Sequence, residues 1–252
     1  MPSAQYLLVS IVVTMFVELL FLISGVLLTT DSAVMTEAGV EKIFNFNSES
    51  EFSNEDIQAW YESSDTVRLV NFRLSRGIFY LLIFSVPHNI DVPRNAGMSK
   101  AVFSLQVSPM FQRAVMFAMI NPQPNGAGFA GVKTNLSLAG HDGKEGVLLR
   151  VRGQGALQHW KVVLTDSKFL GLTKLYTYEA KFAVNLGSEE FQTIELPFSE
   201  FKAFYRGQEV PDAPVMDLKN IGAFGLQTFG GVYDEFKQRG AGSLELDFVA
   251  VY

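Results

Sequence analysis

Two arginines, two residues apart, have the spacing that most clearly suggests a binding face. Arg150 and Arg152 alternate with Leu149 and Val151, so in a β-strand both guanidinium groups point to the same side, about 7 Å apart. Such a face could bind an acidic or sugar ligand, because aromatic planes beside planar polar groups suit sugar recognition. Trp160 or Tyr178 would then be the stacking platform. The alternative interpretation is an ordinary polar sheet face.

No arrangement of residues in the sequence indicates catalysis or cofactor binding. The chain has no cysteine, which excludes thiolate nucleophiles and thiolate metal ligands, and its histidines, His88, His141 and His159, have no metal-ligand spacing. Ser199 lacks the flanking glycines of a nucleophile elbow. The glycine-rich stretch 125–131 matches neither the dinucleotide fingerprint nor the Walker pattern, so tight turns explain it better. We therefore predict a protein that is not an enzyme and has no metal or cofactor.

Composition restricts the class of partner. The net charge of −6 leaves no broad basic surface, so a nucleic-acid partner is not expected, since phosphate binding needs clustered lysines and arginines. A hydrophobic fraction of 48% and 22 phenylalanines provide ample material for a folded core.

Short runs with two-residue alternation predict the elements that hold these residues. Apolar and polar side chains alternate over 147–152, 176–184 and 244–248, and this is the pattern of half-buried strands. Glycine and proline clusters separate the runs, as in Asn121-Pro-Gln-Pro-Asn-Gly126, where neither a helix nor a central strand can continue. Many short strands with regular turns predict an all-β sandwich or jelly roll.

One hydrophobic segment precedes this domain. Leu7–Leu28 contains a single charge, Glu18, and as a helix its 22 residues would span roughly 30 Å, the thickness of a bilayer core. It is either a transmembrane anchor or a cleaved signal peptide. Since no lysine or arginine precedes Lys42, the following domain is expected to be translocated. We divide the chain into the hydrophobic segment at 1–30, a polar linker at 31–55 and the sandwich at 56–252.

Several short sequence motifs follow one another along the chain, from Trp60 to the closing Ser243-Leu-Glu-Leu-Asp-Phe248. The positions that mark them are Trp60, Asp65, Ser99, Gly128, Phe129, Gly153, Gly155, Pro197, Phe198, Phe201, Arg206, Gly207, Gln227, Gly231 and Tyr233. Each motif alone is weakly specific. In number and order, over residues 56–252, they resemble the complex I intermediate-associated protein 30 family.

The resemblance implies a galactose-binding-like β-sandwich and a non-enzymatic role. The family is named for an assembly factor of mitochondrial NADH:ubiquinone oxidoreductase, so the implied partner is a protein, namely assembly intermediates of a membrane complex, and the implied compartment is the mitochondrion. The hydrophobic N-terminus differs from an arginine-rich mitochondrial presequence and favours the secretory route instead. The alternative is therefore a membrane-tethered or secreted sandwich that binds a glycan or another ligand. In a secretory lumen, Asn135 in Asn-Leu-Ser would be a glycosylation site.

One block departs from the family pattern. Between the motif around Asp65 and the motif around Ser99, the residues at about 69–94 include the apolar run Gly77–Val86, which is too short to cross a membrane. Without them, Val67-Arg68 would join Asn95-Ala-Gly-Met-Ser99, as is usual in the family. We interpret the block as an unusual loop or a retained intron outside the sandwich. At its edges, we expect Trp60 to lie in the core and Asp65 to cap a turn.

Overall fold

The computed structural model describes residues 39–65, 97–167, 176–205 and 207–252, and Val40–Tyr252 form one compact unit. The hydrophobic segment 7–28, the predicted block 69–94 and Arg206 lie outside the described residues. Within the described part of the chain, no helix is long and apolar enough to cross a membrane.

Thirteen strands and one short α-helix form the described fold. The strands are β1 (Glu41–Asn45), β2 (Tyr61–Glu62), β3 (Lys100–Ser108), β4 (Phe111–Ile120), β5 (Phe129–Asn135), β6 (Gly146–Gly155), β7 (His159–Asp166), β8 (Thr177–Ala183), β9 (Gln192–Pro197), β10 (Lys202–Tyr205), β11 (Gln208–Glu209), β12 (Ile221–Phe229) and β13 (Gly240–Val251). Helix α1 spans Asn54–Ile57, and two 3₁₀ helices span Phe198–Glu200 and Leu218–Asn220.

The strands form two antiparallel sheets. Sheet A has the order β3-β4-β13-β6-β9, with β1 also paired to β13, and sheet B has the order β11-β10-β8-β7-β12-β5-β2. The prediction of an all-β sandwich is therefore confirmed. The core lies between the sheets: Leu149 and Leu246 on sheet A and Trp160 and Leu226 on sheet B are fully buried in it. This is the arrangement that alternation along each strand produces, because every second side chain faces the opposite sheet.

The first strand corrects the predicted domain boundary. The sequence predicts a polar linker that includes residues 41–45, but these residues pair with residues 248–251 of β13. Phe46 and Phe52 follow in the core, with their rings 4.7 Å apart in an edge-to-face contact. The prediction failed because the phenylalanines of this stretch are separated by Asn, Ser and Glu. The sandwich therefore begins near residue 41 rather than 56.

Trp60 completes an aromatic cluster at this end of the core. Its indole ring lies 5.1 Å from Phe44 and 4.5 Å from Phe103, measured between ring centroids. It is 8% exposed, so the prediction that Trp60 is a core residue is confirmed. Before it, α1 begins at a capping box: the Asp56 carboxylate accepts a hydrogen bond from the Ser53 backbone N–H at 2.8 Å, and Ser53 Oγ accepts from the Asp56 N–H.

Candidate binding surfaces

The arginines lie on the outer face of sheet A, but they are paired with acidic residues. The Arg152 guanidinium donates to both Glu245 carboxylate oxygens, at 3.2 and 2.7 Å, and Arg150 Nε lies 3.3 Å from Asp247 Oδ2. The guanidinium carbons of Arg152 and Arg150 lie 5.0 and 6.0 Å from the centre of the Phe191 ring. Pairing and stacking hold these side chains against the sheet, so the face has the character of an ordinary polar surface.

Trp160 and Tyr178 do not join the arginines, and the prediction of stacking platforms beside them is wrong. Both belong to sheet B, are at most 2% exposed, and face the core. Trp160 Nε1 donates to the Leu157 carbonyl at 2.9 Å, and the Tyr178 hydroxyl donates to the Pro214 carbonyl at 2.9 Å. Their polar atoms are thus satisfied by the backbone, as is usual for buried aromatic residues.

The family-motif residues at the start of the domain form one junction. Asp65 Oδ1 accepts from the Ser99 N–H at 2.6 Å, and Asp65 Oδ2 accepts from the Ser99 hydroxyl at 3.1 Å and the Phe129 N–H at 3.4 Å. Ser99 Oγ accepts from the Asn121 N–H at 3.1 Å. Asp65 thus accepts from the backbone amides of two residues that are distant in sequence, and the turn cap stays a prediction. Gly128 leaves room for the carboxylate, since a Cβ there would lie 3.0 Å from Asp65 Oδ2.

The remaining motif residues shape turns and corners. A Cβ at Gly153 would come within 2.4 Å of Val184, and one at Gly231 within 2.4 Å of the Phe236 carbonyl. Phe198 and Phe201 pack together after β9 ends at Pro197, with ring centroids 6.0 Å apart. Other motif positions are dispersed: Gly155 and Gly207 have positive φ, Gln227 is half-buried on β12, and Tyr233 is exposed. Asn135, the predicted glycosylation site, is exposed at the end of β5. The motifs therefore mark the fold rather than a single site.

The structure shows two features that sequence reasoning missed. Gln238 is buried and has hydrogen bonds from both ends of its amide group to β7 and β12. Lys161 and Glu179 form an ion pair at 2.5 Å on the outer face of sheet B, and both are buried. Alternation indicates that Lys161 faces away from the core but not that it is buried there.

Of the three histidines, His141 lies 3.3 Å from Glu41 and His159 stacks on Phe236.

An apolar patch lies on the β3–β4 hairpin. Val102 and Phe117 are a cross-strand pair, and Met119 follows two residues along β4 on the same outer face of sheet A. They are 54%, 47% and 40% exposed. At the tip of the same hairpin Val107, Met110 and Phe111 are also exposed. Single exposed hydrophobic residues are common, but a group of them on one hairpin is typical of an interaction surface.

Catalytic and metal sites were not expected from the sequence. Within the ranges that the structure describes, no group of three or more His, Cys, Asp or Glu side chains could hold a metal ion. The surfaces described above consist of paired charges, buried polar groups and exposed apolar side chains. The described residues therefore define a two-sheet antiparallel β-sandwich.

Comparison with known proteins identifies the family. Residues 91–247 match the model of the complex I intermediate-associated protein 30 (CIA30) family, and the chain belongs to that family. The match begins close to the end of the predicted block 69–94. No curated protein sequence matches the chain.

Similar solved structures include two family 11 carbohydrate-binding modules, one of them with a TM-score above 0.5. The chain is similar to a family 11 carbohydrate-binding module from Clostridium thermocellum in complex with a β-1,3-1,4-mixed-linked tetrasaccharide, with a TM-score of 0.51 and 13% identity, covering 84% of this chain and 95% of that chain. The family 11 module of the cellulosomal cellulase Lic26A-Cel5E from Clostridium thermocellum gives a TM-score of 0.48 and 12% identity, covering 84% and 94%. At such identities the first likeness shows a shared fold, a two-sheet antiparallel β-sandwich.

Proposed function

We propose that this chain is a non-catalytic protein-binding module that acts in the assembly of respiratory complex I. Membership of the CIA30 family supports this role, since the family description names association with complex I intermediates. The structural observation that carries the proposal is the exposed apolar patch of Val102, Phe117 and Met119 on the outer face of sheet A. The mitochondrial location is part of the proposal.

The apolar patch fits a protein partner rather than a folding need of the domain. Phe117 and Val102 point away from the core, while Met116 and Ala118, on either side of Phe117, are buried in it. Covering a large apolar side chain contributes roughly 1.5–3 kcal/mol, so leaving three of them exposed forgoes stability that a partner can recover. The exposed thioether of Met119 adapts to partners of varied shape. Subunits of a membrane complex offer complementary apolar surface before they are assembled.

The proposal is tested by co-purification from mitochondria. The tagged full chain and its Phe117→Ser/Met119→Ser variant are expressed in cells depleted of the endogenous protein, and complex I intermediates are resolved by native electrophoresis. We expect the variant to recover at least tenfold less of the intermediates. Val215→Ser is the matched control, because Val215 is 92% exposed and lies outside the hairpin.

Two results would contradict the proposal. One is a Phe117→Ser/Met119→Ser variant that recovers intermediates as well as the original chain does while the control is normal. The other is glycosylation of Asn135, which is exposed and would be modified only in a secretory lumen. The second result would favour the alternative, a tethered or secreted ligand-binding sandwich.

A further inference from the structure

The turn of the β3–β4 hairpin presents apolar side chains in three directions. Met110 in the turn is 93% exposed, and Phe111 and Val107 beside it are 53% and 49% exposed. Phe111 lies on the same side of β4 as Phe117, which is the outer side of sheet A. Val107 lies on the opposite side, the side of Leu105, which packs against the core. These three residues, Val107, Met110 and Phe111, are the hairpin tip. A flat protein surface covers one side of such a tip, whereas a lipid layer surrounds it.

The backbone N–H groups of the turn have acceptors within the turn itself. Ser108 Oγ accepts from the Met110 N–H at 3.3 Å and from the Phe111 N–H at 3.2 Å, and it donates to the Phe111 carbonyl at 3.2 Å. Pro109 has no N–H. Backbone groups that enter a lipid layer need partners within the protein, because hydrocarbon offers none. The N–H groups of residues 109–111 therefore meet the condition for contact with lipid.

Charged side chains lie away from the tip. Residues 101–112 contain no Asp, Glu, Lys or Arg. The first charge along β4 is Arg113, whose guanidinium lies 3.4 Å from Asp247 and 5.2 Å from the centre of the Phe191 ring, so it is held against the sheet. A charge in hydrocarbon is costly, and the hairpin tip can enter a lipid layer without one.

The hairpin extends beyond its pairing with the rest of sheet A. β4 pairs with β13 from Ile120 to Ala114, which is opposite Leu246. β4 continues to pair with β3 as far as Phe111, opposite Ser108. The hairpin therefore runs for three residues, about 10 Å, past the last β4–β13 pair. This extension places the tip at the margin of the sheet, where it can approach a surface.

The tip and the first residues of β1 lie at the same end of sheet A. The start of β4 lies toward the Val251 end of β13, and β1 begins there, where Glu41 pairs with Val251. The hydrophobic segment predicted at 7–28 lies outside the described residues, and twelve residues, 29–40, separate it from Glu41. Twelve residues span at most about 40 Å, so a membrane that holds this segment lies within reach of the tip.

We propose that the hairpin tip inserts into the interfacial layer of a lipid bilayer. The contact is shallow, about 5–10 Å deep, and is made by the side chains of Val107, Met110 and Phe111. It requires no anionic lipid, because residues 101–112 have no basic side chain. Phe117 of the apolar patch is six residues from Phe111 along β4, about 20 Å, so the patch stays outside the lipid for a protein partner. This membrane contact goes beyond the proposed function.

A single fluorescent label tests the contact, and labelling is specific because the chain has no cysteine. Met110→Cys and the matched control Val215→Cys are labelled with a nitrobenzoxadiazole dye in the full chain, since the two residues are 93% and 92% exposed. The labelled chains are mixed with phosphatidylcholine vesicles, and the vesicle-bound protein is isolated by flotation. We expect lipids with nitroxide-labelled acyl chains to quench the dye at position 110 at least threefold more than the dye at position 215.

A second substitution tests whether the side chains of the tip, rather than the dye, drive insertion. In the chain labelled at position 110, Phe111→Ser should reduce quenching at least twofold, because it removes an exposed apolar ring. Val215→Ser in the same labelled chain should leave quenching unchanged. Both substitutions are at exposed positions, so the domain should still fold.

Three results would overturn the proposal. They are a chain that does not float with the vesicles, equal quenching at positions 110 and 215, and a Phe111→Ser variant that is quenched as strongly as its parent. A tip that contacts protein instead of lipid would give the second result. Recovery of complex I intermediates depends on Phe117 and Met119 and is measured separately, so each of the two proposals can fail while the other holds.

Discussion

Asp65 and Ser99 are 34 residues apart in sequence and are joined by two hydrogen bonds, from the Ser99 N–H at 2.6 Å and the Ser99 hydroxyl at 3.1 Å. Asp65 and Ser99 therefore lie in contact on the two sides of residues 66–96, which are outside the described part of the chain. Both residues also form hydrogen bonds to other elements. Asp65 Oδ2 accepts from the Phe129 N–H at the start of β5, and Ser99 Oγ accepts from the Asn121 N–H just after β4. The junction ties the starts of β3 and β5 to the end of β4.

Breaking this junction should destabilise the domain. Asp65→Ala removes a carboxylate that accepts hydrogen bonds from two residues, and bonds to charged groups contribute about 1.5–3 kcal/mol each, so we expect the free energy of unfolding to fall by about 3 kcal/mol. Urea unfolding followed by tryptophan fluorescence measures the loss. Ser188→Ala, which changes an exposed hydroxyl, is the control. Equal stability of the Asp65 and Ser188 variants would show that the junction contributes nothing.

Deleting residues 69–94 should leave the sandwich intact. Because Asp65 and Ser99 are already in contact, the seven residues that remain between them can close the loop. Shortening a loop from 33 to seven residues lowers the entropic cost of closure by about 1.4 kcal/mol, so the deleted chain should be at least as stable as the full chain. Circular dichroism and thermal unfolding test this. A deleted chain that does not unfold cooperatively would mean that the block belongs to the fold.

The origin of the block is a separate question. We propose that it is an unusual loop or a retained intron, since the family match begins at residue 91, close to where the block ends. Sequencing of transcripts across the codons for Val67 and Asn95 distinguishes the two versions. A coding segment present in every transcript would exclude the intron.

Gln238 should be the most sensitive polar residue of the loop between β12 and β13. Its Oε1 accepts from the N–H groups of Gln158 and His159, and its Nε2 donates to Thr228 Oγ1 and the His159 and Phe229 carbonyls. Gln238→Leu leaves several buried groups unpaired, so we expect a loss of about 2–4 kcal/mol in urea unfolding. Gln208→Leu is the matched control, because its exposed amide donates to Tyr233 alone among the described residues, and it should cost under about 0.5 kcal/mol. Similar losses in both would contradict this explanation.

The stability of the domain should decrease in mildly acidic solution through His159. Burial lowers the pKa of this histidine, and Asp234 opposes the effect only partly. Below about pH 6.5, the usual histidine value, the unfolded chain takes up a proton that the folded chain resists. The stabilising contribution is therefore present above that pH and is lost as the pH falls.

His159→Phe tests this prediction, because it removes the titrating group and retains a ring to stack on Phe236, which lies 3.6 Å from His159. Chemical unfolding between pH 7.5 and 5.5 should show a smaller loss of stability in the variant than in the original chain. The carboxylates, which also affect stability in this pH range, are the same in both proteins, so the difference reports the contribution of His159. Parallel pH dependence in the two proteins would mean that His159 does not contribute.

The strands could be predicted from sequence wherever alternation was strong, as in β6, β8 and β13. The first strand could not, because in its five residues, Glu41–Asn45, Ile43 and Phe44 are adjacent and do not alternate with polar side chains, and the strand derives its position from β13, some 200 residues away. It was harder to predict which side chains face the core and which face outward. Tyr178, Ala180 and Phe182 lie on the same, apolar side of β8, and this pattern predicts a core position for Tyr178 rather than a place on a binding face.

The candidate sites depend on contacts that no local pattern contains. Arg152 is neutralised by Glu245, 93 residues further along the chain, so its spacing from Arg150 could not reveal that both are paired. The apolar patch is formed by the register of one hairpin, in which Val102 meets Phe117. Alternation along a strand can be recognised in the sequence, but the order of the strands in the sheet cannot, and the contact between Arg152 and Glu245 depends on that order.

The most direct test of the proposed function places a photo-reactive residue on the apolar patch. p-Benzoylphenylalanine is introduced at position 117 or, as a control, at position 215 of the full chain, and mitochondria are irradiated. We predict that position 117 cross-links to a subunit of a complex I assembly intermediate and that position 215 does not. Cross-linking of position 117 to lipid alone, or equal cross-linking from both positions, would contradict a protein-binding surface on the β3–β4 hairpin.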